Sequence, residues 1–404
     1  MTAALPPETP TRPASSKAVT LHIVSIVLYT FIAFLCIGLP IAVMPGYVHD
    51  QLGFSAVVAG LVIGAQYLAT LLSRPVAGRI CDSIGTKRAI VFGLCGIVLT
   101  GTLTFVAMLL ESLPGVSLTL LIITRVILGV SQGLIGVGTI SWCIGKVGAQ
   151  HTARSISWNG IASYGAIAIG APLGVVMVSA LGFISLGPVL AGLAGGALLL
   201  IRNKPPVPIV RGERMPFWSV FGRVAPYGIV LTLSSIGYGT LTTFITLYYI
   251  NRGWEGAAWC LTVFGLCFIA ARLCFINAIS RYGGFRSALV CMAIEAVGLT
   301  LLWLAPSTGV ALLGAGLAGC GLSLTYPAIG VEAIKQVPGS SRGAGLGAYA
   351  VFFDLALALA GPLMGAIALG MGYSWIFFFA AVLSVLGLAM TLLLTRRDHL
   401  AAVA

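Results

Sequence analysis

This sequence is poor in charge, and poorest in negative charge. Only 8% of its 404 residues are charged, 10 acidic against 22 basic. Soluble domains carry about 25% charged residues. A chain that is 59% hydrophobic, with mean hydropathy +1.06, is therefore no ordinary soluble globule. Its four histidines are scattered, and its nine cysteines include no CxxC pair and no Cys/His grouping. Neither a metal site nor a disulfide framework is implied. No phosphate-cradling glycine loop is present, which leaves nucleotide-driven chemistry unsupported. No nucleophile, base and metal ligands gather at one membrane depth, so an enzyme is not expected. No cofactor is expected beyond an ion gradient.

What the chain has is apolar runs. About 20 such residues span a bilayer as a helix. Twelve spans can be drawn at roughly 19–44, 55–73, 88–109, 117–145, 154–177, 181–201, 224–250, 256–279, 286–305, 309–334, 343–369 and 373–395. The gaps between them alternate in charge. The gap Gly46–Gly53 has no Lys or Arg, whereas Arg74–Arg88 holds Arg74, Arg79, Lys87 and Arg88. Of the 22 basic residues, 20 fall on one set of gaps and tails or toward the span ends beside them, with Arg252 on the other set and Arg125 deep inside a span. Basic residues mark the cytoplasmic side. An even span count puts both tails there, in what reads as a bacterial inner-membrane protein.

The first 18 residues, rich in Pro, Thr and Ser, read as a disordered cytoplasmic tail, and 396–404 as a second tail. The apolar run from Val19 is too long for a signal-peptide core. A net charge of +12 does not argue for nucleic acid, because the charge is spread over topological loops. Anionic lipid head groups are the partners it suits.

The longest basic connection, 202–223, separates a six-span bundle (19–201) from a second one (224–395). Within the connection, Phe217–Arg223 is a candidate short interfacial helix. The halves repeat. Arg74 and Arg272, Gly85 and Gly283, and Arg88 and Arg286 all share an offset of 198 residues. In the fifth span of each half, Gly170-Ala171-Pro172-Leu173-Gly174 echoes Gly361-Pro362-Leu363-Met364-Gly365. Such repeats build transporters that rock about a site near the bilayer midplane.

The segment Gly78-Arg79-Ile80-Cys81-Asp82-Ser83-Ile84-Gly85-Thr86-Lys87-Arg88 resembles the loop 2–3 signature of the major facilitator superfamily. Gly78, Asp82, Gly85, Lys87 and Arg88 match it, while Ser83 replaces a usual basic residue. Physically, glycines admit close backbone approach and a carboxylate caps a helix N-terminus or binds arginines. The resemblance implies that Asp82 latches the two halves together. Ser280 stands where the second copy needs its Asp, so the latch is asymmetric. Span 4 carries Arg125-Val126-Ile127-Leu128-Gly129, then Gln132-Gly133, similar to the superfamily's helix 4 motif, whose arginine is linked to proton transfer in related antiporters. Gly170, Pro172 and Gly174 partly match its helix 5 antiporter motif. Gly38 to Val48 looks like its bacterial exporter branch, and Tyr326 to Ala333 with Asp354 to Pro362 like the arabinose-efflux-like group. The resemblance covers about residues 19–397.

These readings imply an all-α fold of twelve transmembrane helices in two bundles. The implied function is proton-coupled efflux of a small amphipathic molecule by a monomer, with an importer, a uniporter or a transporter-like receptor as alternatives. Charges inside spans are expensive and face the bundle or a wet cavity. Asp354, mid-span 11, is the first choice for the proton carrier, with Arg125 as its electrostatic counterpart and Glu295 as the second carboxylate. Glu332, beside Lys335, suits a gate or surface ion pair. Tyr29, Gln66, Gln132, Asn159, Tyr164, Tyr238, Thr242, Thr243 and Tyr326 are the candidates for the cavity wall.

Overall fold

The computed structural model describes residues 16–41, 43–54, 56–210 and 213–403. Most of the N-terminal tail, and Arg211 in the central connection, lie outside the described residues. Twelve long helices carry the fold among the described residues. In the first half they are α1 (Ser16–Ile41), α2 (Ala56–Ile84), α3 (Thr86–Leu109), α4 (Pro114–Val147), α5 (Thr152–Leu181) and α6 (Leu186–Arg202). The second half has α7 (Phe217–Arg252), α8 (Ala257–Cys274), α9 (Gly284–Leu304), α10 (Thr308–Lys335), α11 (Arg342–Met371) and α12 (Trp375–Val403). Ten of these are long and apolar enough to cross a membrane; α2 and α8 complete the set. Large apolar side chains such as Leu72 and Leu369 stay exposed on the outside of the bundles. With no water at those depths, backbone polar groups must be paired within each helix.

Each half is a bundle with its own core. In the first, α1 packs on α5, and α4 on α2 and α3; in the second, α10 packs on α8 and α9, and α7 on α11. Small residues set these contacts. A Cβ on Gly129 or Gly133 of α4 would run into Gln66 or Ser73 of α2, and one on Gly170 or Gly174 into Gly38 or Leu39 of α1. The echo in α11 differs: Gly361 faces open space, and Gly365 meets only the edge of Phe244. Pro172 and Pro362 both lie inside their helices.

Three boundaries depart from the sequence reading. The second span runs on to Ile84, so the Arg74–Arg88 "gap" is mostly helix and the turn itself is Gly85, at φ 100°. Its repeat partner Gly283 turns at φ 84°, a conformation that costs little only without a Cβ. Arg74 is thus a helix residue, not a loop residue, and Arg272, buried near the end of α8, is another. Both have partners within the protein, Asp354 of the other half for Arg74 and the Ser323 carbonyl for Arg272, which a count of charges cannot see. The candidate interfacial helix Phe217–Arg223 is the opening of α7, and α12 continues through the stretch read as a C-terminal tail.

The halves meet along α2–α11, α4–α11, α5–α10 and α5–α8. On the face that carries the basic loops they are closed, with an apolar seal that includes Ala77, Cys81, Ile156, Ile334 and Leu346 from both halves.

Candidate transport site between the halves

The basic face is bolted by Asp82. Its two carboxylate oxygens each accept a backbone N–H from the start of α11, Gly343 to Oδ1 and Ala344 to Oδ2, both at 2.8 Å. A carboxylate of the first half thereby caps the N-terminus of a helix in the second, using otherwise orphan donors. The contact demands glycine. A Cβ on Gly78 would overlap the Gly343 carbonyl oxygen and Ala344, and one on Gly347 the Arg74 carbonyl oxygen. The central connection lies across the same seam. Arg214 donates to the Asp82 carbonyl oxygen at 2.9 Å, Ser340 Oγ to the Glu213 carbonyl oxygen at 2.8 Å, and the Met215 N–H to Ser341 Oγ at 2.9 Å. Lys87 stays within its own half, donating to the carbonyl oxygens of Arg202 (3.2 Å) and Lys204 (2.6 Å) at the end of α6. Arg88 and Arg286 are exposed.

Further from the basic face, the halves diverge. A cleft of about 550 Å³ is lined by Gly64, Tyr67, Leu68 and Leu71 of α2, Tyr238, Gly239, Thr242 and Thr243 of α7, and Asp354, Leu357 and Ala358 of α11. On α2 its residues precede Arg74, and on α11 they reach from Asp354 onward. The cleft therefore opens away from the basic loops.

At its floor, Arg74 donates from Nε to Asp354 Oδ2 at 3.0 Å and from Nη2 to Oδ1 at 3.5 Å. The side chains are 13% and 19% exposed, so the pair is mostly withdrawn from solvent but reachable from the cleft. This corrects the expected pairing of Asp354 with Arg125. Arg125 of α4 instead meets α2, with its Nη1 3.5 Å from Gln66 Oε1. Its Nε and Nη2 have no hydrogen-bond partner among the described residues. Gln66 Nε2 donates to Gln132 Oε1 at 3.3 Å, and Thr70 Oγ1 reaches the same oxygen at 3.2 Å.

Of the expected cavity residues, Tyr238, Thr242 and Thr243 line the cleft. Others are held in buried polar or aromatic contacts. Tyr29 stacks on Trp142 at 6.1 Å, and Asn159 Oδ1 accepts from Thr30 (2.7 Å) and Thr139 (3.0 Å). Tyr326 packs against Tyr349 and Phe353 at 5.1 and 5.6 Å. Tyr164 touches Phe268 and Tyr238 across the interface, at 5.0 and 6.3 Å. Sequence reading passed over Tyr67, which follows Gln66 but lies about 100° around the helix, on the face that meets the cleft.

Glu295 is away from all this, buried between α7, α9 and α12. Ser234 Oγ donates to its carboxyl, and Ser384 Oγ lies 3.4 Å away. Glu332 accepts from Lys335 Nζ at 2.7 Å and from the Gly284 N–H at 3.2 Å, joining α9 to α10 inside the second half. Among the described residues, no three His, Cys, Asp or Glu side chains group as metal ligands.

Known proteins share this sequence and shape. The Major Facilitator Superfamily model matches residues 26–283 and 255–403. An uncharacterized MFS-type transporter of Pseudomonas aeruginosa (strain UCBPP-PA14) is 51% identical over 393 residues, covering 96% of this chain and 98% of its own. Another, from Burkholderia pseudomallei (strain 1106a), is 52% identical over 386 residues, covering 96% and 95%. Among solved structures, the human organic anion transporter MFSD10 superposes with a TM-score of 0.78 at 15% identity, over 92% of this chain and 99% of its own. The transporter FucP in the outward conformation gives 0.77 at 15% identity, over 94% and 99%. Sequence relationship over nearly the whole length, together with the two-bundle architecture, places this multi-pass membrane protein in the Major Facilitator Superfamily, as a transporter of solutes.

Proposed function

We propose that the chain is a proton-coupled exporter of a small amphipathic molecule in the bacterial inner membrane, with both termini cytoplasmic. The positive-inside pattern supports that orientation. It makes the latched basic face the cytoplasmic one, and the 550 Å³ cleft an outward-facing opening. The cleft joins tyrosine rings and leucine side chains to threonine hydroxyls, which suits a solute with an apolar body and a polar end.

One observation carries the coupling: the Arg74–Asp354 pair crosses the interface between the halves at the floor of the open cleft. An ion pair in that position holds α2 to α11 while Asp354 is ionised. A proton arriving through the cleft neutralises Asp354 and removes the attraction. The halves are then free to part on the cytoplasmic side, and the proton leaves there as the solute enters. A fixed pair far from solvent would be structural, but Asp354 lines the cleft and keeps 19% of its side chain exposed, so a proton can reach it. Protons and the solute are the partners on this reading, and Asp354 with Arg74 the coupling residues.

The test is an untargeted uptake and efflux screen in inverted membrane vesicles with an imposed pH gradient. Solutes accumulated by wild-type vesicles with the interior acid are then measured with Asp354→Asn. Export by proton exchange predicts gradient-driven accumulation that disappears in the variant. Accumulation only with the reversed gradient would instead favour the importer.

A further inference from the structure

The two halves repeat, but their interface charges do not. Arg74 of α2 crosses to α11 and finds Asp354. Its repeat partner Arg272, 198 residues on, crosses from α8 to α5, where its guanidinium packs so closely on Gly160 that a Cβ there would collide with Nη1. Aligning Gly174 with Gly365 gives α5 and α11 an offset of 191 residues and puts Ser163 in register with Asp354. The second copy of the ion pair therefore has its arginine and lacks its acid. Arg272 is 2% exposed. Its Nε and Nη2 both donate to the Ser323 carbonyl oxygen, and its guanidinium lies over the Phe268 ring at 4.6 Å. No carboxylate among the described residues is within ion-pair distance of it, and the same holds for Arg125. A carbonyl and a ring face soften a buried cation without neutralising it.

We infer that the transported molecule is an organic anion, and that its carboxylate binds Arg272 in the place where the repeat lacks an acid. This rests on the transporter reading and adds the class of substrate. Three arginines, Arg74, Arg125 and Arg272, lie in or beside the interface against Asp354 and Asp82, and Asp82 is already occupied by the Gly343 and Ala344 N–H groups at the basic face. Glu295 sits in a separate pocket of serines. The surplus is positive, and a buried cation is stabilised most by a partner able to form a two-pronged, charge-assisted bond. An apolar body is accommodated beside it. The Phe268 ring under Arg272 touches Tyr164 at 5.0 Å, and Tyr164 in turn touches Tyr238 of the cleft at 6.3 Å. Arg272 is thus one aromatic layer behind the cleft. When the cytoplasmic face opens, α8 leaves Gly160 and the guanidinium meets that side, where an exporter loads.

The experiment uses the full-length protein in nanodiscs and three shape-matched probe sets that differ in charge: benzoate, 2-naphthoate and indole-3-acetate, their amides, and the corresponding primary amines. Binding is read as ligand-dependent thermal stabilisation. Carboxylates should bind at least tenfold more tightly than matched amides or amines. Ser163→Asp, which supplies the missing acid, should weaken carboxylate binding at least tenfold, as should Arg272→Gln. Arg272→Lys should keep the preference for anions. Ser163→Asp guards against the case in which Arg272→Gln misfolds. Overturning results are no binding by any carboxylate, equal or tighter binding of amines, or carboxylate binding undiminished in Ser163→Asp. Spin-label distances across the cytoplasmic face, measured on the same protein, show whether it alternates at all. Alternation without anion binding would sink this inference and leave the transporter reading standing.

Discussion

Arg74 and Asp354, 280 residues apart in sequence, form an ion pair 3.0 Å long between the two halves of the molecule. Asp82, two turns beyond Arg74 on the same helix, bonds the same partner helix through its backbone. One helix pair, α2 and α11, therefore holds both a latch at the basic face and a charge contact at the cleft floor. The latch is a carboxylate bonded to two backbone N–H groups and the deeper pair a carboxylate bonded to a guanidinium, so a proton on either acid weakens its contact. Opening the basic face must break both, and on the proposed reading this ties the protonation state of Asp354 to the position of the halves.

Asp82→Asn replaces one acceptor oxygen with an NH₂ group facing a backbone N–H. Hydrogen bonds to charged groups contribute about 1.5–3 kcal/mol, so the closed state should lose roughly a factor of 10–100 in population. Spin labels on the exposed Ser83 and Arg281, one in each half, should report longer distances in the variant. Expression and thermal stability should change little, because the contact joins two bundles with separate cores.

Gly78→Ala tests the close approach of α2 and α11. The added methyl overlaps the backbone of Gly343 and Ala344, so the same label pair should stay at the open distance. The variant helix itself should be no less stable, since Ala exceeds Gly in a helix interior by up to about 1 kcal/mol. A protein that closes normally would show that the interface yields at this point.

Glu295→Gln keeps side-chain atoms able to bond Ser234 and Ser384, and touches neither the cleft nor the interface. Stability should stay within about 1 kcal/mol of the parent, the scale of one hydrogen bond, and gradient-driven flux should be unaltered. Loss of flux with folding intact would make Glu295 the proton carrier.

Orientation is tested by single cysteines placed at Gly115 and Ser83, both exposed, in a background without native thiols. An impermeant reagent applied to intact cells should label the first and not the second. The reverse result would invert the assignment of the cytoplasmic face, and with it the direction of the cleft.

The architecture was legible in the sequence because bilayer physics writes it in one dimension, as apolar length and the sorting of basic residues. Gly85 and Gly283 marked their turns correctly, since only glycine enters that backbone region cheaply. Arg74 was misread because a charge rule counts residues without seeing partners. Nothing local tells that Arg74 has an acid waiting 280 positions away, whereas Arg79, five residues on, has none assigned. Asp354 stood out as one of three acids inside the spans of the second half, but its pairing with Arg74 rather than Arg125 is a property of how two bundles dock. Rotation about a helix axis decided the cavity wall. Tyr67 reaches the cleft and Gln66 does not, and no periodic signal in a nearly all-apolar helix separates them.

The central claim is that protonation of Asp354 controls which face is open. It is tested without knowing the solute by double electron–electron resonance between labels at Ser83 and Arg281 in nanodiscs, recorded as pH is lowered. The ionised form of Asp354 holds Arg74 and the halves together on the basic face, so acidification should shift wild-type protein from the short distance to the long one. Asp354→Asn should sit at the long distance at every pH. A pH response in Asp354→Asn equal to that of the wild type would contradict the account.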